Sequence, residues 1–397
     1  MRAIHEMASR ISEEVISLRR DFHRHPELGF EEHRTSSVIA RYLNDLGLEV
    51  RTGIARTGVV GVLNGARPGR TVMLRADMDA LPIQEQGSIP YRSVNKGVMH
   101  ACGHDGHMAI LLGAARLLSG MRDSLKGRVK FVFQPAEESL GGASFMIDEG
   151  ILENPDVDAA FGLHLISLLP FGFIGCGKGV FMASVDTFTI KIRGRAGHSA
   201  MPGGSVDALS LGAEVVVNME GFIKKSIHAE DRIIVNIGTF HAGTAPNIVA
   251  DEVELTGTVR ALDGGVRNDI KSLMDRFLME TTASRGGTYE LDYLQGYPVT
   301  TNDDLMTTLV MKIAAQTVGK DNVIELPPTM ASEDMSFYLE KVPGCFFFLG
   351  TGNADPSLSH PHHNPFFDID ERSLELGVRM MAALALEYLS ASGDLLK

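Results

Sequence analysis

Cysteine is scarce in this chain, and the three that occur, Cys102, Cys176 and Cys345, lie far apart. An odd, widely spaced set does not build the disulfide framework of a small secreted domain. Long apolar runs are missing as well. The N-terminal stretch MRAIHEMASRISEEV has no hydrophobic segment of the kind a secretory signal needs. No run of about 18 uncharged apolar residues is present to cross a bilayer as a helix. Basic residues are outnumbered, with 37 Lys+Arg against 50 Asp+Glu, a net charge of −13. That balance repels a phosphate backbone, and no Lys/Arg-rich cluster reverses it locally. Internal repeats and low-complexity tracts are also lacking. These absences predict a cytoplasmic protein with neither nucleic acid nor membrane as a partner.

What is present suits a globular chain of more than one domain. The 397 residues correspond to two or three domains at roughly 150 residues each. Hydrophobic residues make up 44%, enough for a core of normal size. Ile11, Val15, Leu18 and Phe22 mark one face of a helix that Pro26 ends, and a second helix is expected over 35–46. The apolar runs TVMLRA (71–76), VKFVF (129–133), AAFGL (159–163) and CFFFLG (from Cys345) read as strands buried on both faces. A helical stripe of Met108, Leu111, Leu112, Ala115 and Leu118 lies between two of them, so an α/β domain with a mainly parallel central sheet is expected.

The middle of the chain reads differently. TFTIKIR (187–193) alternates in the manner of a half-buried strand. A helix is expected over 206–225, strands over 232–239 and 252–262, a helix over 266–284 and a strand over 289–294. The order β-α-β-β-α-β is the split, ferredoxin-like pattern. The boundaries predicted are an inserted domain at 185–296 within a domain formed by 1–184 and 297–397, to which a last helix over 371–389 returns the chain.

Open α/β sheets bind ligands at the carboxyl ends of their strands. The residues that follow the buried runs are Asp77 and Asp79, then Gln134-Pro135-Ala136-Glu137-Glu138, then His164. HACGHDGH (100–107) packs three histidines, a cysteine and an aspartate into eight residues, and His360, His362 and His363 form a second patch. Thiolate, imidazole and carboxylate are the ligand types of zinc and its first-row neighbours. Cys102 and His104 can face one point from a glycine-containing turn. Glu138, His164 and a C-terminal histidine would complete the shell, with more ligand than a single tetrahedral centre needs. Glu137, beside a ligand but not itself one, is placed to act as a general base.

Other chemistries fit less well. Neither a G-x-S-x-G elbow, a P-loop nor an H-E-x-x-H occurs, and the glycines at 172–179 do not match a dinucleotide fingerprint. A Cys/His nucleophile at Cys102 would leave Glu137, Glu138 and His164 without roles. Cys176 and Cys345 read as small hydrophobes in the core. His5, His33, His228 and His241 stand alone in the sequence and are expected to be ordinary surface or core residues.

Several longer motifs carry a family resemblance that covers nearly the whole chain. They are HRHPELGFEE (23–32), LRADMDALPIQE (74–85), HACGHDGH, FQPAEE (133–138), GRAGHSAMP (194–202), MASEDMSFY (330–338) and HNP (363–365). Together they resemble the di-metal amidohydrolases of the aminoacylase and carboxypeptidase type. More narrowly, they resemble the hippurate hydrolase, N-acyl-amino-acid amidohydrolase and auxin-conjugate hydrolase branch.

The resemblance implies hydrolysis of an N-acyl amino acid to a carboxylic acid and a free amino acid. It implies two divalent ions, zinc or manganese with cobalt or nickel as alternatives, on Cys102, His104, Glu138, His164 and His363. Glu137 would be the base. His198 would polarise the scissile carbonyl from the neighbouring subunit of a homodimer, with a tetramer as the other assembly considered. Asn247 and Arg260 would hold the substrate carboxylate, and the inserted domain would serve as lid and dimerisation surface. Two departures stand out. Distant relatives carry His-x-Asp where this chain has Asp77-Met78-Asp79, and they bridge the metals with Asp where this chain has Cys102. Asp77 and Asp79 are therefore expected to orient ligands. The alternatives are a deacylase of an acylated diaminopimelate or lysine-pathway intermediate, a dipeptidase, and a non-catalytic binder of acylated amino acids.

Overall fold

The computed structural model describes residues 2–139, 141–228, 232–353 and 359–391. The chain divides into two compact units. One comprises Met1–Phe181, Thr301–Pro327 and Asp334–Lys397, and the other Met182–Thr300 and Pro328–Glu333. Their limits differ from those read off the sequence mainly in the segment 328–333, which packs with the second unit. There the Ala183 N–H donates to the carbonyls of Thr329 and Ala331 at 3.0 and 2.9 Å.

The first unit opens with α1 (Arg2–Arg10), α2 (Ser12–Arg24) and α3 (His33–Asp45). The hairpin β1 (Glu49–Ile54) and β2 (Gly58–Asn64) follows, then β3 (Arg67–Asp77), α4 (His104–Ser119), β4 (Lys126–Gln134), α5 (Gly142–Asp148), β5 (Ala159–Pro170) and β6 (Ile174–Cys176). The chain then leaves through β7 (Gly179–Met182). The second unit contains β8 (Ser184–Arg193), β9 (Gly197–His198), α6 (Ala208–Ser226), β10 (Ile233–Ala242), β11 (Ile248–Val249), β12 (Glu252–Ala261), α7 (Gly264–Ala283) and β13 (Thr288–Gln295). After β14 (Thr300–Asn302) the first unit resumes with α8 (Asp304–Val318), β15 (Val323–Glu325), α9 (Met335–Leu339), β16 (Gly344–Gly352) and α10 (Arg372–Ser390).

The sheet of the first unit has the order β1-β2-β4-β3-β5-β16-β6-β15. Its centre, β4, β3, β5 and β16, is parallel. These are the four apolar runs legible in the sequence, and β3 from Thr71 to Asp77 is buried throughout. On the flanks β2 against β4, β1 against β2 and β6 against β16 are antiparallel, while the last strand, β15, runs parallel to β6. Helix α4 is buried on almost every side, as an apolar helix without a polar face must be.

The sheet of the second unit has the order β10-β12-β8-β13, with every pairing antiparallel. Phe188, Ile190 and Ile192 of β8 pack in one core with Leu211 and Val215 of α6, Leu255 of β12, and Ile270 and Met274 of α7. Asp207 and Asp263 cap the two helices by accepting N–H groups of their first turns. Among the described residues no helix is long and apolar enough to cross a membrane.

Candidate metal centre

Strand termini of the first unit bring the chemistry together. Asp77 ends β3 and Gln134 ends β4, with Glu137 and Glu138 in the turn that follows. β5 runs on past Leu163 to Pro170, so His164 is not a terminal residue. Pairing with β3 stops at Arg75 opposite Gly162, however, so His164 lies past the last pair, level in register with Asp77 at the end of β3. Gly103 precedes α4 at φ 94°, a left-handed value that a side chain disfavours. That turn lets Cys102 and His104 face one point. His363, also left-handed at φ 64°, is tied beside them by its N–H donating to Ala101 O at 2.8 Å.

Two of the donor triads that result contain Cys102. Cys102, His104 and His164 present ligand atoms within 4.8 Å of one another, and so do Cys102, Glu138 and His363. Cys102 belongs to both. Its Sγ is 3.5 Å from His164 Nε2, and Glu138 Oε1 lies 3.2 Å from His363 Nε2 and 3.9 Å from His104 Nε2. Glu137 is grouped with His104 and Glu138, and it is buried.

The imidazoles are oriented for ligation. His104 Nδ1 donates to Asp79 O at 2.8 Å and His164 Nδ1 to Leu165 O at 2.9 Å. A carbonyl can only accept, so in the neutral form of either ring the lone pair sits on Nε2, facing the cluster. The buried His104 Nε2 and Glu138 Oε1 have no well-angled hydrogen-bond partner. A cation would satisfy both, and a thiolate, imidazoles and a carboxylate around it are the donor set of a divalent transition metal. The residues therefore fit a two-ion centre. His362 does not compete for it, because its Nε2 donates to Leu165 O at 2.8 Å.

A supporting layer holds these groups. Asp79 accepts the N–H of Glu137 and of Glu138, each at 2.9 Å, so a single carboxylate sets the turn that bears both glutamates. Asp77 accepts from His107 Nδ1 at 2.6 Å and from Arg75 at 2.8 Å. His107 Nε2 in turn accepts the Leu165 N–H at 2.9 Å. Arg75 reaches Gln134 and Asp334 at 2.9 and 2.6 Å, and Gln134 also donates to Asp334 at 2.7 Å. Sequence reasoning assigns Asp77 and Asp79 this orienting role but misses Arg75, His107 and Asp334. A charged residue inside the doubly buried run TVMLRA is the available signal for Arg75.

The electrostatics favour a cation. Burial opposes a charged His104, yet Asp77, Asp79 and Glu138 outweigh it and push its pKa up to about 10. Burial, then Glu138 and Glu137, hold the Cys102 thiol well above its usual range, so the thiolate needs positive charge beside it. Burial and the neighbouring His107 and His362 keep His164 well below its usual range and hence neutral, the form that binds metal.

The three remaining candidates belong to the second unit. His198 is exposed on β9, and its Nδ1 accepts the Ala200 N–H at 3.1 Å, which places the proton of a neutral ring on Nε2. Asn247 adjoins it, its carbonyl accepting the Ser199 N–H at 3.1 Å. Arg260, half-buried on β12, donates to Met330 O at 3.0 Å and Ser332 Oγ at 3.1 Å. Among the described residues it has no carboxylate partner.

Known proteins resemble this chain over most of its length. The model of peptidase family M20/M25/M40 matches residues 73–387. Thermostable carboxypeptidase 2 of Saccharolobus solfataricus is 40% identical, covering 95% of this chain and 96% of that one. N-acetyl-L-cysteine deacetylase of Bacillus subtilis is 37% identical over 92% of this chain and 86% of its own length. The crystal structure of the Bacillus subtilis YXEP protein, described as a dinuclear metal-binding peptidase from the M20 family, superposes with a TM-score of 0.83. Its identity is 34%, over 97% of this chain and all of that one.

Proposed function

The chain belongs to peptidase family M20/M25/M40, and from that premise we propose that it hydrolyses the amide of N-acyl amino acids. The products are a carboxylic acid and a free amino acid. One observation carries the reading: two donor triads share Cys102 beside a buried glutamate, Glu137, that is outside both.

When bound, two divalent ions would polarise the scissile carbonyl and bring the pKa of the attacking water toward neutrality. Zinc or manganese suits the mixed sulfur, nitrogen and oxygen donors, with cobalt or nickel as substitutes. Cys102, His104 and His164 would hold one ion, and Cys102, Glu138 and His363 the other. Glu137, held in place by Asp79, takes the proton of the attacking water and returns it to the leaving nitrogen. His198 offers Nε2–H to the oxyanion, a contribution of about 3 kcal/mol for one well-placed donor. In this reading it serves the neighbouring subunit of a homodimer, and the second unit acts as lid and dimerisation domain. Arg260, lacking an internal carboxylate, pairs with that of the substrate, and Asn247 assists.

Glu137→Gln tests the assignment. It keeps the side chain's size and removes its basicity, so metal content should be unchanged while kcat falls by about 10²- to 10⁴-fold. A variant with near-wild-type kcat removes Glu137 from the mechanism. Amine release from benzoyl, acetyl, succinyl and indole-acetyl amino acids and from dipeptides, with and without a chelator, defines the acyl group. A metal-loaded protein that binds these compounds and releases no amine from any would instead be a binder.

A further inference from the structure

We infer that Arg19 is a positioning residue for the Glu138–His363 side of the centre. It clamps the segment that carries His363 to the helix that carries His104. The inference rests on the two-ion reading above.

Arg19 lies midway along α2 and is fully buried. Its guanidinium fans out to three acids on two other parts of the chain. Nε donates to Asp105 Oδ2 at 2.7 Å, Nη2 to Asp368 Oδ1 at 2.7 Å and Nη1 to Glu371 Oε1 at 3.3 Å. Asp105 directly follows His104 at the start of α4. Asp368 and Glu371 belong to the segment between His363 and α10. Asp368 is gripped from its other oxygen too, by the Tyr91 hydroxyl at 2.9 Å, and the Tyr91 ring lies 4.8 Å from the Arg19 guanidinium carbon. His23, one turn after Arg19, adds a further bond to Asp105 at 2.8 Å.

The two halves of the centre depend on this clamp unequally. His104 and His164 are set by the carbonyls of Asp79 and Leu165, neither of which touches Arg19. His363 is half exposed, sits on left-handed backbone and has its ring directed by no carbonyl among the described residues. A non-glycine residue stays in that conformation only where its surroundings impose it. The Ala101 carbonyl holds its N–H, Gln86 N–H holds Pro365 O at 2.9 Å, and the Arg19–Asp368 pair anchors the segment beyond. A planar guanidinium suits this task because its donors point in three fixed directions, which a lysine ammonium cannot reproduce.

Equilibrium titration of the metal-free full-length protein with Co²⁺ tests the clamp, followed by the thiolate-to-cobalt absorption band and by elemental analysis. Wild type should take up two equivalents. In Asp368→Asn and Arg19→Met one equivalent should weaken by about tenfold or more while the other stays within about threefold, with the Cys102 band retained. Arg19→Lys should rescue poorly. His363→Ala should give the same one-site loss, and adding Arg19→Met to it should weaken the remaining ion no further. Two ions bound at wild-type affinity in Asp368→Asn, or both weakened alike, would overturn the clamp. If Arg19→Met does not fold, the same titration of Asp368→Asn and Tyr91→Phe, which act only on the far arm, distinguishes the outcomes. A wild type that takes up fewer than two equivalents would overturn the two-ion reading itself, and the clamp with it.

Discussion

Asp79 concentrates more of the centre's geometry than any proposed ligand, so Asp79→Asn is an informative perturbation. Its two carboxylate oxygens each accept one N–H, from Glu137 and from Glu138, at 2.9 Å, and the residue is 1% exposed. Asparagine keeps one oxygen and turns the other position into a donor facing an N–H. One charge-assisted bond is lost, worth about 1.5–3 kcal/mol, and the survivor weakens to a neutral bond. The expected loss of stability is about 2–4 kcal/mol, read as a lower urea midpoint at unchanged slope. The turn bearing both glutamates should also shift, and a displacement of order 1 Å at a catalytic base costs about 10²-fold in kcat. His104 keeps its bond to the Asp79 backbone carbonyl, which the substitution leaves in place, but loses the side-chain charge 3.4 Å from its Nδ1 that helps raise its pKa. A variant within about 0.5 kcal/mol of wild type and with full kcat at saturating metal would refute the reasoning.

Two further predictions concern other buried charges. Lys130 is 2% exposed, and its ammonium donates to the carbonyls of Ile151, Glu153 and Pro155 at 2.7, 3.0 and 2.8 Å. Lys130→Met strands all three, so stability should fall by about 3–5 kcal/mol, and a loss below about 1 kcal/mol in urea unfolding would show that water replaces the ammonium cheaply. Glu32 is buried against Thr57 and Ala136, and burial pushes its pKa up to about 7 from 4.5. The folded state therefore keeps a proton that the unfolded chain releases between those values. Stability drawn from Glu32 is full below pH 4.5 and declines as pH rises through 7, by up to about 3 kcal/mol. Glu32→Gln has no such decline, so its stability relative to wild type should improve from about pH 5 to about pH 8. An unchanged difference would contradict the raised pKa.

The parallel centre of the sheet was legible because β3, β4, β5 and β16 are buried on both faces and so appear as unbroken apolar runs. The β-α-β-β-α-β order of the second unit was legible because β8 alternates and its helices carry one apolar face. The hairpin of β1 and β2 was not. β1 is an edge strand with mostly exposed, polar residues, and its turn uses Ala55 and Arg56 at φ 47° and 74° rather than an Asn-Gly pair. At the site, ligand candidates stood out by chemical type, since His100 to His107 is dense in donors and Glu137-Glu138 follows a buried strand. Choosing His363 over His362 needed family resemblance, because two adjacent histidines differ only in where the backbone points them. The Arg19 and Arg75 networks escaped notice for a different reason. Most of their partners lie far along the chain, and long-range pairing leaves no local pattern.

The central claim is that two cations share Cys102 beside an unliganded Glu137. Anomalous diffraction from crystals grown with zinc or manganese tests it most directly. The account predicts two peaks in the first unit. Cys102 Sγ should touch both, His104 and His164 one, Glu138 and His363 the other, and Glu137 neither. A single peak, or a cleft in which Cys102, Glu138 and His363 turn away from one another, would contradict it.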